Sequence, residues 1–152
     1  MKTHDLTPYI AEHPFFEGME ADQLALIAGC ARNVRFDAGE FIFRQGDVAD
    51  TFFILRHGRV ALEAPGPHRE PRRIQTLDAE DVVGWSWLFP PHEWFIDVRA
   101  LELTRAVALD GTCLRGKCDA DHRLGYQLMK RFSALVVERL QATRMQLINL
   151  YE

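Results

Sequence analysis

Chemistry in this sequence concentrates at Gly84 and the aromatic residues that follow it. Trp85, Trp87 and Trp94 are its three tryptophans, and Phe89 and Phe95 are interleaved with them. The order is an apolar pair (Val82, Val83), a glycine, a short aromatic turn with Leu88, a Pro90-Pro91 break, and then an extended run. In that run Trp94, Ile96, Val98 and Ala100 alternate with Phe95, Asp97, Arg99 and Leu101, which reads as strand, glycine elbow, one helical turn, loop and strand. Backbone N–H groups at a first helical turn have no partners of their own and suit an anion. Aromatic faces stack on rings and attract cations. The candidate pocket is therefore Val83, Gly84, Trp85, Ser86, Trp87, Leu88, Trp94, Phe95 and Ile96. The competing reading is that the tryptophans fill the mouth of a barrel as core material.

Other reactive side chains lack the spacing that chemistry needs. The histidines at 4, 13, 57, 68, 92 and 122 form no His-x-His or His-x-x-x-His pair, which argues against a cupin-type metal enzyme. His92 alone stands beside the aromatic segment. Three cysteines are an odd number, and Cys113 and Cys118 have no second pair, so Cys30, Cys113 and Cys118 read as buried free thiols in a reducing cytoplasm. Ser86 has no Gly-x-Ser-x-Gly setting, and nothing arranges Glu93 and Asp97 as an acid and a base. No enzyme, metal site or cofactor is expected.

The chain of 152 residues, 47% hydrophobic, is long enough for one domain with a proper core, taken as 1–152. A net charge of -4 gives no field that attracts nucleic acid. The arginines at 69, 72 and 73 are broken by Glu70 and Pro71 and read as a solvated turn. No stretch suits a membrane span or a signal peptide.

These residues need positioning elements. Leu6, Tyr9 and Ile10 begin a helix that ends near His13-Pro14, and Leu24, Ile27 and Ala28 mark a second that stops at Gly29, so 1–30 is a helical lead-in. From 31 to 110 the pattern is short strands with frequent turns. Val34 and Phe36 pass through the turn Asp37 to Glu40 into Phe41 and Phe43, as two tightly joined strands. Phe52 to Leu55, Val60 to Leu62, Ile74 to Leu77 and Ala106 to Leu109 follow, with Pro65-Gly66-Pro67 as a loop. With the strands of the aromatic segment, this makes about eight, the pattern of an all-β barrel or jelly roll. From 119 to 151 the chain reads as one long helix, with Met129, Phe132, Val136, Leu140, Thr143, Leu147 and Leu150 spaced by three or four as a dimer seam. The Glu138 and Arg139 pair reads as part of its wet face.

Taken together, the chain resembles the cyclic-nucleotide-binding domain, as found in catabolite-activator-type regulators, protein kinase A regulatory subunits and gated channels. The matching residues are His13-Pro14-Phe15-Phe16-Glu17-Gly18-Met19, Ala38-Gly39-Glu40, Gln45-Gly46-Asp47, Phe52-Phe53-Ile54-Leu55, Gly58, Val83-Gly84 and Val98-Arg99-Ala100-Leu101. The resemblance implies an eight-stranded β-roll with N-terminal helices, a ligand cassette at 82–98 and a long C-terminal helix. It also implies a glutamate after the elbow glycine to hold a ribose hydroxyl, and an arginine opening the next strand to pair with the cyclic phosphate. Trp85 stands at the first position, and Trp94 or Phe95 at the second. An indole offers one donor where a guanidinium offers a two-point, charge-assisted pair. Arg99 alternates to the opposite face from Trp94. The expectation is a stand-alone, homodimeric sensing module in signal transduction that does not take cyclic AMP or cyclic GMP in the usual way. It would act through a small-molecule effector or partner protein and without direct nucleic-acid binding, since no helix-turn-helix follows the long helix. The alternative is the sensor part of a Crp/Fnr-type transcription regulator.

Overall fold

The computed structural model describes residues 5–65 and 70–151; the Pro65 to Pro67 loop, Arg69, His4 and His68 lie partly or wholly outside them. The protein is mainly β, with eight strands in two antiparallel four-stranded sheets, flanking helices and a long C-terminal helix. Helix α1 (Thr7–Glu12), a 3-10 turn (Pro14–Phe16) and α2 (Ala21–Ala28) lead into β1 (Ala31–Phe36). The strands β2 (Phe41–Phe43), β3 (Thr51–His57), β4 (Arg59–Ala64), β5 (Arg72–Asp78), β6 (Val82–Val83), β7 (Asp97–Ala100) and β8 (Thr104–Asp110) follow. Helices α3 (Gly111–Ala120) and α4 (His122–Leu150) close the fold.

One sheet has the order β1-β8-β3-β6 and the other β2-β7-β4-β5. Strand residues alternate between faces, and this decides where the core lies. Phe53, Leu55, Ala106, Ala108 and Val83 face inward and meet Val60, Leu62, Val98 and Leu77 of the second sheet. Phe52, Ile54, Val107, Leu109 and Val82 face the other way and are covered by Ile10, Phe16, Ile27, Leu114, Leu128 and Phe132. Strand β3 is buried on both faces, which is why its sequence is a continuous apolar run rather than an alternation.

Four expectations need correction. The strands β1 and β2 are not a pair: β1 bonds β8 and β2 bonds β7, so the Asp37 to Glu40 turn carries the chain from one sheet to the other. The segment 111–120 is a separate helix, α3, whose Asp110 cap accepts from the Cys113 N–H at 3.0 Å. Cys30 and Cys113 are not free thiols but form a disulfide (S–S 2.20 Å) joining the end of α2 to α3, and Cys118 is the free one. On α4, Phe132 points into the helix-covered core with Leu124, Leu128 and Leu135 and takes no part in an outer seam. The other seam residues differ in exposure: Val136 is half-buried, and Met129, Leu140, Thr143, Leu147 and Leu150 are exposed.

Candidate ligand pocket

Gly84 ends β6 with φ of 95°, a backbone state that residues with a side chain rarely adopt. A Cβ there would lie 2.6 Å from Cη2 of Trp94, so the indole ring rests directly on the glycine backbone. Trp94 is only 5% exposed and stacks on Phe43, with centroids 3.7 Å apart and planes at 8°. Its main chain is pinned to the Gln45-Gly46-Asp47 turn: Trp94 N–H donates to Asp47 O (3.0 Å) and Gly46 N–H to Trp94 O (2.8 Å). The buried Asp97 carboxylate accepts from the Gln45 N–H at 2.7 Å, which gives it a structural task rather than a catalytic one.

Beyond the glycine there is a hydrogen-bonded turn, Leu88 N–H to Trp85 O (3.1 Å), and not the helical turn that the spacing suggested. No helix N-terminus is available there to receive an anion. The tryptophans divide between the two cores. Trp94 belongs to the barrel interior, whereas Trp87 is wholly buried on the helix side, stacked on Phe52 (5.1 Å) and edge-on to Phe132 (5.2 Å). Leu88 packs with Trp87 against that same core. Trp87 and Leu88 therefore leave the candidate set, while Val83, Gly84, Trp85, Ser86, Trp94, Phe95 and Ile96 line one cavity of about 60 Å³. His92, at φ of 58°, receives a backbone bond from Ala49 N–H (2.7 Å) and shapes the loop.

The cavity is continuous in its lining with a groove of about 460 Å³. Trp85, Ser86 and Phe95 border both, and Phe89, Pro90, Ser133, Val136 and Val137 complete the groove against α4. Phe95, 67% exposed, forms its outer lip. Sequence reasoning missed one residue of the cavity with real chemical weight. Arg139 of α4 is 8% exposed, lines the cavity and donates to the Val82 carbonyl, so it is not on a wet face. Its guanidinium lies 5.7 Å from the centre of the Trp85 ring. Burial lowers its pKa from the ordinary arginine value, with Asp81 and Glu138 opposing. Arg99, in contrast, is held outside: its Nε and Nη2 donate to the two Glu63 carboxylate oxygens at 2.9 and 2.7 Å across β7 and β4. A larger concavity of about 820 Å³ lies elsewhere, between α1 and the outer face of β1, β3 and β8. There Arg56 lies 4.4 Å over the Tyr9 ring and donates to the Asn33 Oδ1 at 3.3 Å.

The family model described as a cyclic nucleotide-binding domain matches residues 33–121. The CRP-like cAMP-activated global transcriptional regulator of Mycobacterium tuberculosis is 23% identical over 141 residues, which is 93% of this chain and 61% of that protein. The chain thus spans less than two thirds of that regulator's length. Human cGMP-dependent protein kinase 2 is 32% identical over 69 residues, 45% of this chain and 9% of the kinase. Among solved structures, a Geobacter metallireducens protein assigned as cyclic nucleotide-binding superposes with a TM-score of 0.78 and 26% identity, over 88% of this chain and 97% of that one. The catabolite activator protein of Thermus thermophilus has the same fold, with a TM-score of 0.72, 22% identity and coverage of 91% and 63%.

Proposed function

Because this chain belongs to the cyclic nucleotide-binding domain family, we propose that it is a regulatory, ligand-sensing module without catalytic activity, whose pocket does not hold cyclic AMP or cyclic GMP in the usual way. The observation that carries this reading is Trp94 lying on Gly84, within contact distance of any added Cβ. An indole occupies the space over the elbow backbone where the family resemblance would seat a phosphate, and Trp85 stands where it would seat a ribose partner. A cavity of about 60 Å³ is far below the roughly 300 Å³ or more of ordinary small-molecule sites. The adjoining groove leaves space for another kind of ligand.

The same reading makes the protein a homodimer through α4 and places it in the cytoplasm. No described helix is long and apolar enough to cross a membrane. In a reducing cytoplasm the Cys30–Cys113 disulfide would be open to reduction. A second reading, the sensor part of a longer DNA-binding regulator, has the alignment across 93% of this chain with the Mycobacterium tuberculosis regulator in its favour. Sequencing the transcript through the codon for residue 152 separates the two readings. Calorimetry with cyclic AMP and cyclic GMP tests the pocket: neither should produce saturable heat, and an affinity of about 1 µM or tighter for either would overturn the reading. The double variant W85E/W94R should bind more tightly than the wild type.

A further inference from the structure

Arg139 carries a positive charge into the interior, where Asp81 and Glu138 act on it without forming an ion pair. Its bond to the Val82 carbonyl is the sole hydrogen bond of its guanidinium to protein atoms among the described residues, and no carboxylate there lies within ion-pair distance. A guanidinium has five N–H donors, so most of its capacity is unspent. The residue continues the inward stripe of α4 that runs through Leu124, Leu128, Phe132 and Leu135, where an apolar side chain would be the ordinary choice. An unpaired buried charge costs stability, and replacing it by a hydrophobic residue of similar volume is often neutral or favourable. Its place is functionally suggestive: Arg139 lines the cavity that also holds Gly84, Trp85 and Ser86.

We propose that the pocket binds an organic acid with an aromatic or branched apolar body, its carboxylate received by Arg139 and its body lying in the groove against Trp85, Phe89 and Val136. This rests on the preceding reading that the pocket senses a ligand other than an ordinary cyclic nucleotide. Volumes fit the division of labour. About 60 Å³ equals roughly two waters at 30 Å³ each, enough for a carboxylate and too little for a ring, whereas the groove of about 460 Å³ takes the body. Charge selects among ligands as well. A cationic guest would be repelled by Arg139, and a neutral one would leave its charge unpaired. An acid satisfies the two-point geometry of the guanidinium.

The test titrates wild-type protein with indole-3-acetate, phenylacetate and 4-methylpentanoate, and with the corresponding neutral amides, by calorimetry and tryptophan fluorescence. At least one acid should bind with Kd of about 100 µM or tighter, and its amide at least tenfold more weakly. R139M should lose acid binding by tenfold or more while melting at or above the wild-type temperature, and R139K should retain part of the affinity. Equal binding of acid and amide, unchanged acid binding by R139M, or no saturation by any of the three acids would overturn the proposal. So would an R139M protein that melts far below wild type, since Arg139 would then be a structural strut. Cyclic AMP is titrated alongside: tight binding of it would sink the preceding reading, whereas silence from cyclic AMP together with every acid would sink the acid assignment alone.

Discussion

Two arginines show how far a single residue can be placed from sequence. Arg99 does lie away from Trp94, but not by alternation along one strand as the sequence suggested: β7 begins only at Asp97, and within it Arg99 alternates with the buried Val98 and Ala100, its partner being the nearly buried Glu63. The hydrogen bonds from Arg99 hold the Glu63 carboxyl below its ordinary pKa, against an opposing effect of burial. A depressed carboxylate stabilises the fold above its unfolded-state pKa, and the contribution fades as pH falls through the folded value. Glu63→Gln should therefore cost about 1.5–3 kcal/mol in urea unfolding at neutral pH, and the gap to wild type should close in acid. An equal gap at both pH values would show that the pair's charge is not what stabilises. Arg139 escaped the sequence reading because adjacency to Glu138 suggested a surface pair. Neighbours one apart do not face each other on a helix. The legible signal was the spacing of Leu128, Phe132, Leu135 and Arg139 by four, three and four, which puts the arginine on the buried stripe.

At the level of elements, the strands were legible wherever one pattern of burial ran the length of a strand, including the doubly buried β3. Pairing was not: the β1 to β2 turn looks local, yet its strands bond to β8 and β7, residues far along the chain. Helix α3 was hidden because Gly111, Gly116 and its two cysteines are poor helix formers. Tertiary ties hold it instead. Asp110 caps it, Lys117 Nζ donates to the Leu26 carbonyl at 2.7 Å, and Cys113 bonds to Cys30, 83 residues earlier. Such a pairing cannot be read from the spacing of three cysteines. Closing a loop of that length is worth about 4.5 kcal/mol in the chain-entropy account. Urea unfolding of protein purified without reductant should accordingly shift to lower denaturant on adding reductant, and Cys118→Ser should leave that shift unchanged. A shift of under about 1 kcal/mol would mean that the capped helix is held by its other ties.

For the whole molecule, α4 is the element with more apolar surface than its own fold covers. Leu140 is 54% exposed, Leu147 53% and Leu150 80%, with Met145 and Ile148 close by. Burial at about 1.5–3 kcal/mol for each such side chain outweighs an association cost of roughly 4–15 kcal/mol if a second α4 covers most of the strip. Sedimentation should show a wild-type dimer at tens of micromolar and a monomer for L140K/L147K; a monomeric wild type would remove the dimer from the proposed function. The long helix was legible from its spacing, but not the division of its faces, since Phe132 fits both stripes on paper and only packing assigns it inward. Arg139 and Leu140 are successive residues of that helix, about 100° apart around its axis, one in the pocket and one on the outer strip. If a guest draws on the first while a second subunit leans on the second, occupancy and assembly become reciprocal quantities, each changing the other's equilibrium by the same factor. Effector affinity would then depend on protein concentration, so that the abundance of this protein in a cell sets the effector level to which it responds.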